Sequence, residues 1–346
     1  MTISRITVAA LAGACLMVGG ALAQDYDDAP LLLPRDIVEA ATAFQHYMTS
    51  AAAVGRFSDA GSVLQGLRAS AAYEPAQFQQ GMIAYGAIAA LQDEDYIRGV
   101  QRAAPTAAAR QALRERLINN PYDATQFDGV ASAARRVEAA LGGKAAPLAS
   151  AGAQVKASAY TVQHQAWSKV MVSDASGRLA EVKRLSAMRA QPRAAELDAT
   201  IDSLAGATPQ PISDGPAGMT MIEAKALALA AEAILDGTHA SDRPRLAPLL
   251  EDPRSAMCLR MAKLNLYQCM AVAGPQYEDI FCLGQHAMID TGACVNEAVR
   301  GPAPTAMTMS SRISLPYAAA GAVGRPGRSL AAPLTTRRAL RVAPED

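Results

Sequence analysis

The sequence predicts an all-α protein: a multi-helix bundle, a C-terminal helical hairpin pinned by disulfides, and a disordered C-terminal tail. Three observations carry this. Alanine dominates from Ala40 to Ala233, β-branched residues are sparse, and aromatic residues are only 5% of the chain, too few for an all-β sandwich. Apolar residues recur at helical spacing in one segment after another. Every cysteine except Cys15 falls between Cys258 and Cys294.

The N-terminus, MTISRITVAALAGACLMVGGALAQDYDD, has the form of a secretory signal peptide over residues 1–23. Arg5 supplies the positive region and Ile6 to Leu22 the apolar run. Ala21-Leu22-Ala23 is a small-residue cleavage site, so cleavage between Ala23 and Gln24 is expected. Lipidation at Cys15 fits less well, because Ala12 stands where a lipobox has a large aliphatic residue and the apolar run continues past the cysteine. An uncleaved anchor is disfavoured by Gly13, Gly19 and Gly20 and by the short run. The mature chain is therefore expected to be periplasmic or extracellular, soluble, and without stable membrane insertion.

Residues 24–205 read as an N-terminal helical region. In DIVEAATAFQHYM, the residues Ile37, Val38, Ala41, Phe44, Tyr47 and Met48 form one stripe. In PAQFQQGMIAYGAIAAL, Phe78, Met82, Tyr85 and Ile88 do the same. Start signals agree: Ser58-Asp59 precedes one helix, Pro75 sits in the first turn of another, and Asp93-Glu94-Asp95 marks a capped boundary. Pro105-Thr106 opens TAAARQALRERLINN, which ends before Pro121. These patterns give roughly ten helices and no convincing strand. A faint echo relates Tyr73–Phe78 to Tyr122–Phe127, each expected to open an Ala-rich helix. Two copies fall short of a repeat array.

A Pro/Gly-rich loop follows at residues 206–218, and a second helical region at 219–300. The loop either divides two domains or crosses the surface of one. EAKALALAAEAIL is apolar nearly all round, as a buried helix would be.

The four cysteines Cys258, Cys269, Cys282 and Cys294 are an even set that an exported protein would oxidise. A helix is expected from about Pro253 to Ala273. Cys258 and Cys269, eleven positions apart, would share its face about 16 Å from each other, too far to bond. Gly274-Pro275 then stops the helix and turns the chain into a second one, from about Gln276 to Ile289. Cys269 and Cys282 are centred on 275.5 and Cys258 and Cys294 on 276, so both pairs mirror about that turn. Nested bridges follow: Cys269–Cys282 inside, Cys258–Cys294 outside. One detail resists. Cys282 and Cys294 are twelve positions apart, which on a regular helix turns the second sulfur by about 120° from the first. Thr291-Gly292 is expected to end or loosen the helix and free Cys294. The arrangement resembles the twin-cysteine hairpins of the coiled-coil-helix–coiled-coil-helix family in architecture. Here the gaps are ten and eleven residues instead of nine, so the likeness carries no function.

From residue 301 onward Pro, Gly, Ser and Arg dominate without a burial pattern, and a disordered tail (301–346) is expected. It is basic: Arg312, Arg325, Arg328, Arg337, Arg338 and Arg341 face Glu345 and Asp346. Such a tail could touch anionic lipid or polysaccharide, although a solvated end is the commoner outcome.

Motifs that would fix an activity are missing. The formal net charge is +0, which gives no nucleic-acid signature. The cysteine spacing suits neither a zinc site nor Cys-x-x-Cys-His haem attachment, so no metal or cofactor is expected. The four histidines, His46, His164, His239 and His286, form no metal pair, and no Walker loop, dinucleotide fingerprint or Gly-x-Ser-x-Gly elbow occurs. Cys282 and His286 lie four apart, but a bridged sulfur is no nucleophile. A possible ligand patch is His164 with Trp167, the sole tryptophan, near the turn at Ser173-Asp174, or else His286. A tryptophan at a helix junction more often fills a core. The Ala-rich, Arg-over-Lys composition is similar to that of uncharacterised secreted proteins of alphaproteobacteria, which assigns no activity. The expected function is an exported binding or scaffold protein of the cell envelope, whose partner would be an envelope protein or polysaccharide. The alternative is an envelope-acting enzyme with its site near His164 and Trp167 or near His286.

Overall fold

The computed structural model describes residues 31–205, 218–301 and 339–343. The expected signal peptide with its Ala23/Gln24 cleavage site, residues 206–217 of the Pro/Gly-rich loop, and the expected disordered tail apart from 301 and 339–343 lie outside the described residues.

Thirteen α-helical segments make up most of what is described. In order they are α1 (Arg35–Ala52), α2 (Ala60–Ala71), α3 (Pro75–Ala90), α4 (Glu94–Ala103), α5 (Ala107–Asn119), α6 (Val130–Val162), α7 (Ala175–Ala187), α8 (Ala194–Ala205), α9 (Met221–Ile234), α10 (Arg243–Leu246), α11 (Pro253–Val272), α12 (Gln276–Cys282) and α13 (Asp290–Arg300). The starts are set by side chains that accept the orphan N–H groups of the first turn. Asp59 forms a capping box with Ser62, Glu74 caps α3 ahead of Pro75, and Asp93 accepts from Tyr96 N. Thr106 caps α5, Thr220 forms a capping box with Glu223, and Asp252 caps α11 ahead of Pro253.

At the centre, α3 and α9 are buried on nearly every side and pack against each other. α1 lies along α3, where a β-carbon on Gly81 would stand 2.1 Å from the Ala40 carbonyl oxygen. The α1/α3 contact is lined by a ring cluster of Phe44, Tyr47, Tyr73, Phe78 and Tyr85. α6 has 33 residues, about 50 Å of helix, and touches α1, α3, α9 and the C-terminal helices in turn. One continuous cluster of buried side chains draws on residues before and after the 206–218 loop.

Three local differences from the sequence expectations have physical reasons. First, Leu31–Leu33 (β1) pairs in parallel with Leu340–Val342 (β2), in register Leu31↔Leu340, Leu32↔Arg341 and Leu33↔Val342. So residues 339–343 of the expected tail are ordered, and a strand pair exists. A run of three leucines is too short to alternate, and its partner lies some three hundred positions away, so neither strand carries a local signal. Second, the Tyr73/Tyr122 echo is not a structural repeat. Glu74 and Pro75 launch α3 directly, whereas Tyr122 lies in a 3₁₀ turn, Pro121–Gln126, and α6 starts only after Gly129 at φ +80°. Third, the helix after Gly274-Pro275 does not loosen at Thr291-Gly292. It runs from Gln276 to Arg300, with a π-helical segment at Leu283–Ile289 between α12 and α13.

The π segment crosses α6 at backbone distance. A β-carbon on Gly284 would stand 2.5 Å from Lys156 N and 2.8 Å from Gly152 O. Glycine at 284 is therefore a steric requirement of this crossing. Gly284→Val should destabilise the protein by about 1–3 kcal/mol or more. The measurement is the urea midpoint, which should fall at unchanged slope; an unchanged midpoint would show that the crossing is not as close as described.

Candidate binding surface on the disulfide hairpin

α11 and the helix running Gln276–Arg300 are antiparallel neighbours joined at Gly274-Pro275. The structure pairs Cys269 with Cys282 and Cys258 with Cys294, each at a Cα separation of 5.7 Å. The rotation problem of the outer bridge is solved by the π segment. A π-bulge adds one residue to a helix, and one residue is about 100° of rotation, so the mismatch of about 120° shrinks to about 20°. Cys282 and Cys294 can then both face α11 while the helix stays continuous. In the disputed loop-closure account each bridge stabilises by roughly 3–4 kcal/mol.

The π segment is braced by polar groups from the rest of the bundle. Tyr47 OH donates to Ala287 O (2.8 Å) and to Ser70 O (3.0 Å), and Tyr73 OH meets Thr291 Oγ1 at 3.0 Å. Lys156 Nζ donates to Gln285 Oε1 (2.7 Å), and Gln285 Nε2 donates to Asp290 Oδ1 (2.9 Å). The second Asp290 oxygen lies 2.8 Å from His286 Nδ1.

Two buried cations hold the hairpin to α7. Arg178 reaches the hairpin tip, where it donates to Met270 O (2.7 Å) and Ala273 O (3.1 Å), the orphan carbonyls at the end of α11. Its guanidinium also lies 2.7 Å from the buried Asp279 carboxylate in the first turn of α12. Burial pushes the Asp279 carboxyl up to about 7, and Arg178 offsets this only in part. Lys263 is buried midway along α11. It donates to Ala71 O (2.7 Å) at the end of α2 and to Ser186 Oγ (3.1 Å) on α7, with its ammonium over the Tyr73 ring. Burial pushes its pKa well below the usual lysine value. The Ser186–Lys263 contact resembles a nucleophile beside a base, but both side chains are buried, and their partners are backbone and ring.

At the tip, an open cleft of about 450 Å³ lies between the end of α6 and the hairpin. Tyr160, Val272, Tyr277 and Phe281 supply apolar walls beside the Cys269–Cys282 bridge, and Glu278 is the one carboxylate lining it. That carboxylate already accepts from Gly274 N at 2.8 Å. The strand-like stretch around Met171 clamps the turn from the other side: Val172 N donates to Gly274 O (2.9 Å) and Gln276 N to Val170 O (3.2 Å).

None of the residues of the expected ligand patch lines the tip cleft. His164 is exposed just beyond the end of α6. Trp167 is half-buried in a 3₁₀ turn, packs on the core, and donates its indole N–H to Gln165 Oε1. His286 lies on the π segment, paired with Asp290, and neither histidine lines the tip cleft. Among the described residues there is no group of three or more His, Cys, Asp and Glu side chains arranged to hold a metal ion.

Sequence reasoning passed over Arg178, Asp279 and Lys263, whose partners lie on other helices. It also passed over Glu232, a fully buried carboxylate between Arg114 (3.3 Å) and Arg245 (2.7 Å), on the helix read as apolar. Burial raises the Glu232 pKa against the pull of both arginines. A lone ionisable residue inside an apolar helical run was the available signal for Glu232; Lys263, one turn after Arg260, carries no such signal.

No protein-family model, curated protein or solved structure matches the chain.

Removing one partner of the tip ion pair should be costly. At pH 8, where Asp279 is ionised, Asp279→Ala leaves Arg178 buried without its counter-charge and should lose about 3–5 kcal/mol. The pH dependence follows from the raised pKa. The folded state holds this proton more tightly than the unfolded chain, so the contribution is complete below the unfolded value of 3.8 and is lost as pH rises through about 7. Urea midpoints across that range should fall in the wild type and flatten in Asp279→Asn. Parallel curves for the two proteins would refute the assignment.

Proposed function

We propose that the chain is an exported binding or scaffolding protein of the cell envelope that presents its disulfide hairpin to an envelope protein or polysaccharide. The reading rests on the hairpin tip. There Val272 is 84% exposed and Tyr160 56%, around an open cleft whose only carboxylate is engaged by backbone, and Met171 and Val170 are exposed on the stretch that clamps the turn from its other side. Apolar surface of this kind, on a rigid pinned element, suits a partner better than a reaction. The enzyme alternative near His164 and Trp167 or near His286 has less behind it, since His164 is exposed, Trp167 donates to Gln165 and His286 is paired with Asp290. Export is supported by the signal-peptide form of residues 1–23 and by cysteine pairs at disulfide distance. Among the described residues no helix is long and apolar enough to cross a membrane.

The test places a photo-crosslinking residue at Val272 or Met171 in the protein expressed in its own cells. The expected result is a discrete adduct from the tip positions and none from Arg98 on α4, with N-terminal sequencing of the envelope fraction starting at Gln24. A chain that keeps residues 1–23 in the cytosol, or no adduct from either tip position, would overturn the reading.

A further inference from the structure

α11 buries Leu259, Ala262, Lys263, Leu266 and Met270. No described residue covers its outer side: Met257 is 55% exposed, Met261 45% and Leu264 44%, and the line continues through exposed Gln268 and Ala271. The steps along this line are four, three, four and three residues. That is the narrow seam of a coiled coil with a 3.5-residue period, and a helix lying on a membrane shows a broader apolar face.

Charge on this face has one sign. PRSAMCLRMAKLNLYQCMAV contains no carboxylate. Arg260 is exposed directly beside the seam, and Arg254 at its start pairs with Glu297 of α13 at 2.6 Å. On the α7 side Lys183 is exposed over the Tyr267 ring, 5.8 Å from its centroid.

We propose that this seam docks one amphipathic helix of a partner protein, with apolar residues at heptad spacing and carboxylates flanking them. Rim carboxylates would face Arg260 and Lys183, and Gln268 would set the register, as a single polar residue in a seam does. A second copy of the chain fits poorly, because its α11 brings arginines and no carboxylate to oppose them. The proposal rests on the binding reading above and names the chemistry of the partner.

The probe is a labelled synthetic helix of about three heptads, with Leu at the seam positions and Glu beside them. It is titrated with the disulfide-intact protein and followed by fluorescence anisotropy. Binding that weakens with added salt is expected, with a loss of about tenfold or more in Leu264→Asp. Arg260→Glu should lose the Glu-flanked peptide and gain the Lys-flanked one, a gain that a misfolded variant could not show. The proposal is overturned if the Lys-flanked peptide binds the wild type equally well, or if Leu264→Asp binds unchanged. It is likewise overturned if the seam instead mediates a dimer that Leu264→Asp dissolves, or capture by phosphatidylglycerol vesicles. Failure of the Glu-flanked peptide alongside Val272 adducts sinks the seam alone; failure of both sinks the binding reading with it.

Discussion

Two disulfides between the same two helices impose a phase condition. Each needs its Cα atoms within about 7 Å, so both helices must keep one face toward the other over the whole span between the bridges. α11 meets this with a spacing of eleven positions from cysteine to cysteine, close to three turns. The facing helix has twelve and meets it only by taking up one residue as a π-bulge. Other contacts are organised around that insertion. It places Gly284 where α6 crosses at backbone distance, aims the Ala287 carbonyl at Tyr47, and lets the helix continue past Thr291 to Arg300.

How much of this was legible depends on how local each cause is. The mirror placement of four cysteines about Gly274-Pro275 is visible in the sequence, because a hairpin turns sequence symmetry into spatial pairing. The caps at Asp59, Asp93 and Thr106 are visible because their partners are three residues away. The π segment is not visible as such. Its trace is the twelve-position spacing of Cys282 and Cys294, which a regular helix cannot satisfy; melting at Thr291-Gly292 and a bulge are both arithmetically adequate answers. Tertiary packing on Gly152 decides between them. The strand pair has no local trace, since β1 and β2 are each three residues long and meet only through the fold.

The expected ligand patch fared differently, for a related reason. His164, Trp167 and His286 were singled out for residue type, but type says nothing about direction. The structure places His164 just beyond α6, Trp167 in a 3₁₀ turn and His286 on the π segment, and acidic and basic groups that burial shifts from their ordinary pKa lie elsewhere, among them Lys263, Asp279 and Glu232. Those three are buried at helix junctions and bonded to backbone carbonyls or arginines. Burying such groups is rarely a net gain in stability. Their use here is geometric: Arg178 and Asp279 fix where the hairpin tip meets α7, and Lys263 fixes where its middle meets α2 and α7.

This pinning explains why α11 can keep an apolar outer side. A helix held by packing alone can roll exposed methionine and leucine inward only by carrying part of its buried stripe, here Leu259, Leu266 and Met270, away from the core. Rolling α11 by one residue, about 100°, would carry both cysteines away from their partners and pull Lys263 from Ala71 and Ser186. Each loss exceeds what burying one or two half-exposed side chains returns, since such a side chain stabilises by about 1.5–3 kcal/mol only when fully buried. The exposure of Met257, Met261 and Leu264 is therefore held in place by covalent and buried-charge constraints on the same helix together with its buried stripe. Loose surface packing does not account for it, and a surface fixed in this way is pre-organised: docking against it requires little further ordering of α11.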